Sequence, residues 1–256
     1  MKIRRAVLAM GFGMTLGAMG MAPTVAAAAT TYNVGSTPTG MPFTYLDPQT
    51  NTIQGIMVDL INAVGKDVGF EPKINAMTFS TLISSLTTKR IDIISAAMVK
   101  TDEREKIVSF TAPLLSYGEG LVVQDSDKKN YTSFADMKGM TIGIQLGTAY
   151  VEPASSSGMF KEIKQYDSSA NMLKDLQNGR VDAVLLDYPI AKKTLEQPSF
   201  KGMHLVESYK PVINRGVGLV VRKDDTALLD SLNKSIAKLS ESGVIEGILK
   251  KWGLSK

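Results

Sequence analysis

An arginine stands in residues 101–104 at a position where a helix start normally favours an acid or an amide. The segment reads Thr-Asp-Glu-Arg, so Thr101 is suited to be the N-cap and the two acids to the positive end of the helix dipole. A capping box would place Glu or Gln where Arg104 stands. This placement favours a bidentate pair between the guanidinium and the carboxylate of a bound molecule. The alternative is a solvated arginine that pairs with Glu103 or Glu105.

Two later positions could hold other charged groups of a ligand. Gly147 and Thr148 follow a predicted strand, and a strand-to-helix turn there would present backbone N–H groups to an anion. Asp187 ends the largely apolar run 181–186, and ligands of α/β proteins bind outside the carboxyl ends of strands. A carboxylate in that place can accept hydrogen bonds from an ammonium group. The alternative is that Asp187 caps the helix that follows it.

The remaining candidates are aromatic residues and one histidine. Phe43, Tyr45 and Phe79 could present flat faces to a ligand, or they could belong to the core. The chain has no cysteine, which excludes disulfides and thiolate metal sites. A catalytic triad or a histidine-rich metal site would depend on His204 alone, and we expect that residue at the surface near the start of a strand. The sequence therefore predicts no metal site and no cofactor.

The composition is that of a soluble globular protein, with 44% hydrophobic and 21% charged residues in a chain of 256, long enough for two modest domains. Residues 1–29 have a basic start, an apolar run softened by glycines, and small residues at the end. They are predicted to be a signal peptide cleaved near Ala27 to Ala29, with a retained membrane anchor as the alternative. Removing its three basic residues lowers the net charge from +4 to +1, which argues against nucleic-acid binding.

Two stretches, 82–94 and 172–184, resemble each other at an offset of ninety residues. Each has apolar residues at i, i+1 and i+4, as on one face of a helix, followed by Arg-x-Asp and a short apolar strand. One helix-to-strand unit that occurs twice predicts two lobes of similar construction. Arg104 follows the first unit and Asp187 ends the second, so we expect them on different lobes.

Strands and helices alternate along the chain in an order that predicts a parallel sheet flanked by helices, which is an α/β fold. Predicted strands occupy residues 31–35, 71–75, 91–97, 118–124, 140–145, 161–166, 182–186 and 216–222. Predicted helices occupy residues 55–69, 78–89, 169–178, 189–195, 226–243 and 244–252, with another starting near Thr148. Gly69 fits a C-terminal cap, and Pro153 complicates the helix near Thr148.

Taken in order, a set of short segments resembles the bacterial periplasmic solute-binding proteins of amino-acid ABC transporters. This is family 3 of the extracellular solute-binding proteins, typified by the glutamine- and histidine-binding proteins. The matching segments are Pro42-Phe43 with Tyr45, residues 55–60, residues 90–92, residues 101–104, residues 108–113, residues 137–139, Gly147-Thr148, residues 179–184, Asp187, and residues 243–253. Together they cover nearly the whole chain after the signal peptide.

This resemblance implies a two-lobe type II fold with the ligand cleft between the lobes. Lobe 1 would comprise residues 30–117 plus 214–256, and lobe 2 residues 118–213. The chain would cross between them at a hinge near residues 114–118 and 213–217. The resemblance also implies a monomer without enzymatic activity that binds a small amino-acid-like ligand in the periplasm. It would close its lobes on that ligand and deliver it to an ABC permease in the inner membrane.

The resemblance also implies roles for individual residues. Arg104 would bind the α-carboxylate of the ligand, helped by backbone N–H groups. Asp187 would bind the α-ammonium, helped by a backbone carbonyl, and aromatic rings would pack on the ligand. The residues expected to contribute these helping groups and rings are Thr148, Ala149 and Val99 for the carboxylate, Ala97 for the ammonium, and Phe79 and Phe43 for packing.

The chain departs from the family pattern around the expected cleft. Val99 replaces a serine or threonine, Gly40 stands where an aromatic lid is common, and Thr37 replaces a frequent aspartate. The hinge segment 114–118 reads Leu-Leu-Ser-Tyr-Gly instead of Tyr-Tyr-x-Ser-Gly. The sequence therefore leaves the solute open. The alternative function is an exported enzyme on this scaffold, similar to cyclohexadienyl dehydratase, in which a carboxylate such as Glu119 would be the acid or base.

Overall fold

A computed structural model describes residues 30–254, and the predicted signal peptide lies outside the described residues. Its strands are β1 Thr30–Ser36, β2 Thr39–Gly40, β3 Thr44–Asp47, β4 Thr52–Gln54, β5 Phe70–Ala76, β6 Ile93–Ile94, β7 Val108–Phe110, β8 Leu115–Gln124, β9 Thr141–Gln145, β10 Glu162–Tyr166, β11 Ala183–Asp187, β12 Met203–Leu205, β13 Asn214–Val217 and β14 Val220–Arg222. Its helices are α1 Ile56–Val68, α2 Leu82–Thr87, α3 Asp102–Glu105, α4 Val151–Ser157, α5 Ser169–Gln177, α6 Tyr188–Leu195, α7 Thr226–Glu241 and α8 Val244–Lys251. Within this part of the chain, no helix is long and apolar enough to cross a membrane.

The first sheet has the strand order β5-β1-β6-β14-β7. Strand β1 runs parallel to β5 and β6, whereas β14 is antiparallel to β6 and β7.

Helix α1 packs against α7, α8 and β5. Its apolar positions recur every three or four residues, so Leu60 and Val64 reach the core beside Leu232 and Ile236 of α7. Helix α1 ends as predicted, at Gly69 in the left-handed conformation with φ 94°.

The second sheet has the strand order β10-β9-β11-β8-β12. Strand β9 lies parallel to β10 and β11, and β8 is antiparallel to β11 and β12. A small antiparallel sheet of β2, β3 and β4 follows the first strand of the chain. Two principal sheets with flanking helices confirm the predicted two-lobe α/β fold.

The chain passes between the two sheets through segments that pair with each other. The first residues of β8 pair with β13, with Leu115 opposite Val217 and Gly118 opposite Asn214. Further along β8, the Glu119 carboxylate accepts hydrogen bonds from the backbone N–H groups of Val212, at 2.6 Å, and Ile213, at 3.1 Å. The predicted hinge crossings therefore lie side by side and are joined by hydrogen bonds.

The repeated Arg-x-Asp unit makes the same contacts twice. Asp92 donates its backbone N–H to the carbonyl of Asn33 and accepts the N–H of Asn33 with its carboxylate, at 2.7 and 3.0 Å. Asp182 does the same with Thr141, at 2.8 and 2.7 Å. Each aspartate thus joins the start of its own strand to a neighbouring strand. The predicted duplication is confirmed, and both aspartates are structural.

Several predicted elements differ from those observed. The helix expected over 78–89 is a 3-10 turn at Phe79–Thr81 followed by the short α2. The strand expected over 91–97 is limited to β6, because the chain leaves the sheet before Ala97, which has a φ of 50°. The strand expected over 216–222 is divided into β13 and β14, since the chain changes partners from β8 to the first sheet.

Pro153 does not interrupt the helix near Thr148. Helix α4 begins at Val151, so Pro153 lies in its first turn, where backbone N–H groups have no partner within the helix. The helix is short, with seven residues, as the proline suggested, but Pro153 does not break it because the helix starts later than predicted.

Candidate ligand-binding site

Arg104 reaches from the first sheet's side of the molecule to the second. Its helix α3 is capped by Thr101, whose hydroxyl accepts the N–H of Arg104 at 3.3 Å. The side chain is buried, with 9% of the residue exposed. Nη1 donates to the carbonyl of Val99 and Nη2 donates to the carbonyl of Gly147 at 2.8 Å. The guanidinium carbon lies 5.7 Å from the centre of the Phe79 ring.

The acids next to Arg104 in the chain bind other partners. Glu103 pairs with Lys106 at 2.6 Å and Glu105 with Lys100 at 2.7 Å, which excludes the solvated pairing considered above. Within residues 30–254, no carboxylate lies within ion-pair distance of the guanidinium. Burial lowers the pKa of Arg104, but an arginine stays charged. A buried positive charge with only carbonyl partners is suited to bind an anion.

Asp187 lies at the carboxyl end of β11, directly before α6. It occupies the N-cap position but makes no side-chain capping bond, which argues against the alternative that its role is a helix cap. Oδ1 instead accepts the Tyr150 hydroxyl at 3.0 Å, and Oδ2 accepts the Tyr117 hydroxyl at 3.2 Å. Burial raises the pKa of Asp187 to about 6, although both hydroxyls and the charge of Arg104 act in the opposite direction.

Tyr117 and Tyr150 were not predicted to belong to the site. Tyr117 also donates to the carbonyl of Ala97 at 2.7 Å and stacks on Phe43, with ring centres 5.1 Å apart. Burial raises the pKa of both tyrosines well above the usual value, so both stay neutral. One signal could have identified Tyr117, since it stands where the family pattern has a serine.

The turn after β9 has the predicted place but uses different groups. Gly147 has a φ of 80°, and its carbonyl, rather than an N–H, contacts Arg104. The Thr148 hydroxyl donates to the carbonyl of Gln145 at 2.7 Å, and its backbone N–H makes a longer contact of 3.3 Å with the same oxygen. Ala149 follows as a half-buried residue beside a cavity of about 660 Å³ next to Arg104.

The other predicted site residues differ in whether they contact Arg104, contact Tyr117 or belong to the core. Val99 and Ala97 contribute backbone carbonyls to Arg104 and Tyr117, as described above. Phe79 is half-buried beneath the guanidinium. Phe43 is 1% exposed and stacks on Tyr117, so the alternative of core packing describes its place. Any effect of Phe43 on a ligand would pass through Tyr117.

His204, the remaining candidate from the sequence, lies outside this cluster. His204 pairs with Asp125 at 3.2 Å on strand β12, as expected for a residue at the surface. Within the described part of the chain, no group of three or more His, Asp or Glu residues could hold a metal ion. Arg104 is thus a buried cation and Asp187 a half-buried anion, and each influences the pKa of the other, which suits a molecule with both charges.

Residues 32–255 match the bacterial extracellular solute-binding proteins, family 3, and the chain belongs to this family. Among curated relatives, ABC transporter arginine-binding protein 1 of Escherichia coli is 33% identical over 228 residues, which cover 89% of this chain and 92% of the relative.

Solved structures of amino-acid-binding proteins have a similar fold. A mutant of ArgBP from T. maritima has a TM-score of 0.80 and 31% identity, covering 87% of this chain and 94% of that one. An ancestral amino acid-binding protein described as a precursor of cyclohexadienyl dehydratase has a TM-score of 0.77 and 25% identity, with coverage of 87% and 95%.

Proposed function

We propose that this protein is the substrate-binding component of an ABC importer and captures a small zwitterionic amino acid. The observation that carries the proposal is a buried guanidinium and a half-buried carboxylate that lie close enough to influence the pKa of each other. Each charge costs free energy when it is buried without an opposite charge, and a zwitterion supplies both opposite charges at once. The names of the relatives support an amino acid, and arginine is the first ligand to test.

In this proposal Arg104 binds the α-carboxylate, with backbone N–H groups of Thr148, Ala149 and Val99 nearby. Asp187 binds the α-ammonium. The ligand carboxylate would take the place of the carbonyl groups that now accept from Arg104, because charge-assisted bonds are stronger than bonds to neutral acceptors. Phe79 would contact the ligand's side chain, since its ring already lies beside the guanidinium.

The proposal also includes the division into lobes and their motion. Residues 30–117 with 214–256 would form lobe 1 and residues 118–213 would form lobe 2. Arg104 lies on α3, which packs against β7 of the first sheet, and Asp187 lies on β11 of the second sheet, so one ligand can satisfy both charges only when the lobes are close. The closed form would be recognised by a permease in the inner membrane.

We further propose that residues 1–29 direct export to the periplasm and that the mature protein acts as a monomer.

A second candidate function is an exported enzyme, and one observation supports this alternative. The pKa of Asp187, about 6, is near neutrality, as a general acid or base requires. Glu119, the carboxylate first considered for this role, accepts three hydrogen bonds at the hinge, from Tyr209, Val212 and Ile213, so it is a structural group. Incubating the ligand with a large amount of protein separates the two functions. A binding protein returns the ligand unchanged.

The test of binding is to identify what the protein carries. The protein is purified from periplasm under mild conditions and denatured, and the released molecules are identified by mass spectrometry. An Arg104→Ala variant purified in parallel is the control for non-specific carry-over. We expect an amino acid in equimolar amount from the wild type and much less from the variant. Equal amounts of every metabolite from both proteins would contradict the proposal.

A further inference from the structure

The carboxyl ends of strands from the two sheets lie opposite each other. Ser169, three residues after β10, donates its hydroxyl to the carbonyl of Thr39, three residues after β1, at 2.7 Å. Arg104 makes a similar contact with the carbonyl of Gly147, two residues after β9, at 2.8 Å. Ligands of α/β proteins bind outside such strand ends. A ligand in this place would therefore lie in a cleft that is held closed at both contacts.

The contact made by Ser169 is part of a packed seam between the two sides of the cleft. Cδ1 of Ile190, on α6 beside the second sheet, lies 3.3 Å from the place that a Cβ on Gly40 would occupy. The same Cβ would lie 3.6 Å from Oγ1 of Thr37, which directly follows β1 and is only 5% exposed. Water therefore has little access to the end of β1 while the two sheets are this close.

Three of the strand ends that meet here carry uncharged side chains. At the end of β1, the Thr37 hydroxyl lies 2.8 Å from the hydroxyl of Thr44. Ala97 and Val99, which follow β6, are buried. Gln145 ends β9, is buried, and donates its amide to a backbone carbonyl at 3.3 Å. A ligand side chain among these residues would meet apolar surface and neutral hydrogen-bonding groups.

The charged groups near these strand ends already have partners or assigned roles. Within residues 30–254, Arg104 and Glu119 are the only buried charged residues. The two oxygens of Glu119 accept three hydrogen bonds at the hinge, and the proposed function assigns Arg104 and the half-buried Asp187 to the two head groups of the ligand. Asp167, at the end of β10, is exposed. In the described part of the chain, no buried group is therefore left to pair with a third charge on the ligand.

We propose that the protein selects amino acids whose side chain is uncharged. The inference rests on the proposed function and names the class of its ligand. A third charge, as in arginine, lysine or glutamate, would be enclosed beside neutral groups, and a buried charge without an opposite charge costs more than one hydrogen bond contributes. Arginine is then expected to bind more weakly than citrulline, its neutral analogue of nearly the same shape.

A matched pair of variants tests the physical reason for this selection. Thr37→Asp adds a carboxylate at the end of β1, whereas Thr37→Asn adds a neutral side chain of the same size. The affinity for arginine relative to citrulline should be at least about tenfold higher in Thr37→Asp than in Thr37→Asn. Equal ratios in the two folded variants would overturn the inference. If Thr37→Asp does not fold, titrations of the wild type decide the inference on their own.

The wild-type protein is stripped of bound molecules by unfolding and refolding, and it is titrated in a calorimeter at pH 7.5. The probes are the common amino acids and four matched pairs, namely arginine with citrulline, lysine with norleucine, glutamate with glutamine, and aspartate with asparagine. The members of a pair have similar size, so the charge of the side chain is the main difference between them.

In every pair with a member that binds, the neutral member should bind at least about tenfold more tightly. Binding confined to other uncharged amino acids would also support the inference. A charged member that binds as tightly as its neutral counterpart, or more tightly, would overturn the inference and leave the proposed function intact, because an amino acid is still bound. If no common amino acid binds, the proposed function fails and the inference fails with it.

Discussion

Replacing Asp187 by asparagine should stabilise the protein in the absence of ligand, although it removes a predicted binding group. Burial raises the pKa of this carboxyl from 3.8 to about 6. An acid whose pKa is higher in the folded state than in the unfolded state is destabilising when ionised. Its cost is absent below pH 4, grows between pH 4 and 6, and is complete above pH 6.

The shift of about two pKa units corresponds to about 2–3 kcal/mol at pH 7.5. An asparagine also fits between the two tyrosines, because its amide oxygen can accept from Tyr150 while its NH₂ group donates to the hydroxyl oxygen of Tyr117. Each kcal/mol raises the melting temperature of a protein of this size by about 2–4 °C. We therefore expect Asp187→Asn to melt about 4–12 °C higher than the wild type at pH 7.5 and at nearly the same temperature at pH 4.

The assay is differential scanning calorimetry of protein stripped of ligand, at both pH values. Asp182→Asn is the matched control, because Asp182 accepts a backbone N–H of Thr141 at 2.7 Å and its loss should not stabilise. If Asp187→Asn were less stable than the wild type at pH 7.5, the two tyrosine hydroxyls would outweigh burial, and the reasoning about Asp187 would be wrong.

Three further predictions concern binding, the hinge and closure. Arg104→Ala should weaken ligand binding by about 2–5 kcal/mol in calorimetry. Arg180→Ala, which removes a surface pair with Asp175, should change it by less than about 1 kcal/mol; similar losses would remove Arg104 from the site. Glu119→Gln places an NH₂ group against N–H donors at the hinge and should cost about 1–3 kcal/mol in urea unfolding, so unchanged stability would contradict the hinge role. Gly147→Ala should hinder closure, because its φ is 80° and the new Cβ would lie 3.0 Å from Cα of Ser80; a liganded variant as compact in small-angle scattering as the liganded wild type would contradict this.

The sequence predicted those features that depend on local spacing. The apolar periodicity of residues 55–69 correctly placed α1, and Gly69 correctly marked its end, because both signals act within one helix. The duplicated helix-to-strand unit correctly predicted two parts of similar construction, in which Asp92 and Asp182 make the same kind of contact. The isolated strand at 91–97 was predicted too long, since the left-handed conformation of Ala97 is imposed by tertiary structure and has no signal in the alanine itself.

The polar partners of the candidate site were not predictable from spacing. Tyr117 and Asp187 are 70 residues apart, and Tyr150 and Asp187 are 37 apart. Only the pairing of β8 with β11 brings the first two side chains together. The sequence suggested Arg104 and Asp187 as candidates by their positions, but nothing local indicated that two tyrosine hydroxyls would donate to the aspartate.

The central claim is that one cleft binds the opposite charges of a single amino acid. It is tested most directly by calorimetric titration of the stripped wild-type protein with each of the common amino acids at pH 7.5. The account predicts saturable binding of at least one of them at a single site, and no binding of the same molecule once its α-amino group has been removed. Absence of binding by every amino acid, or equal binding of the deaminated molecule, would contradict it.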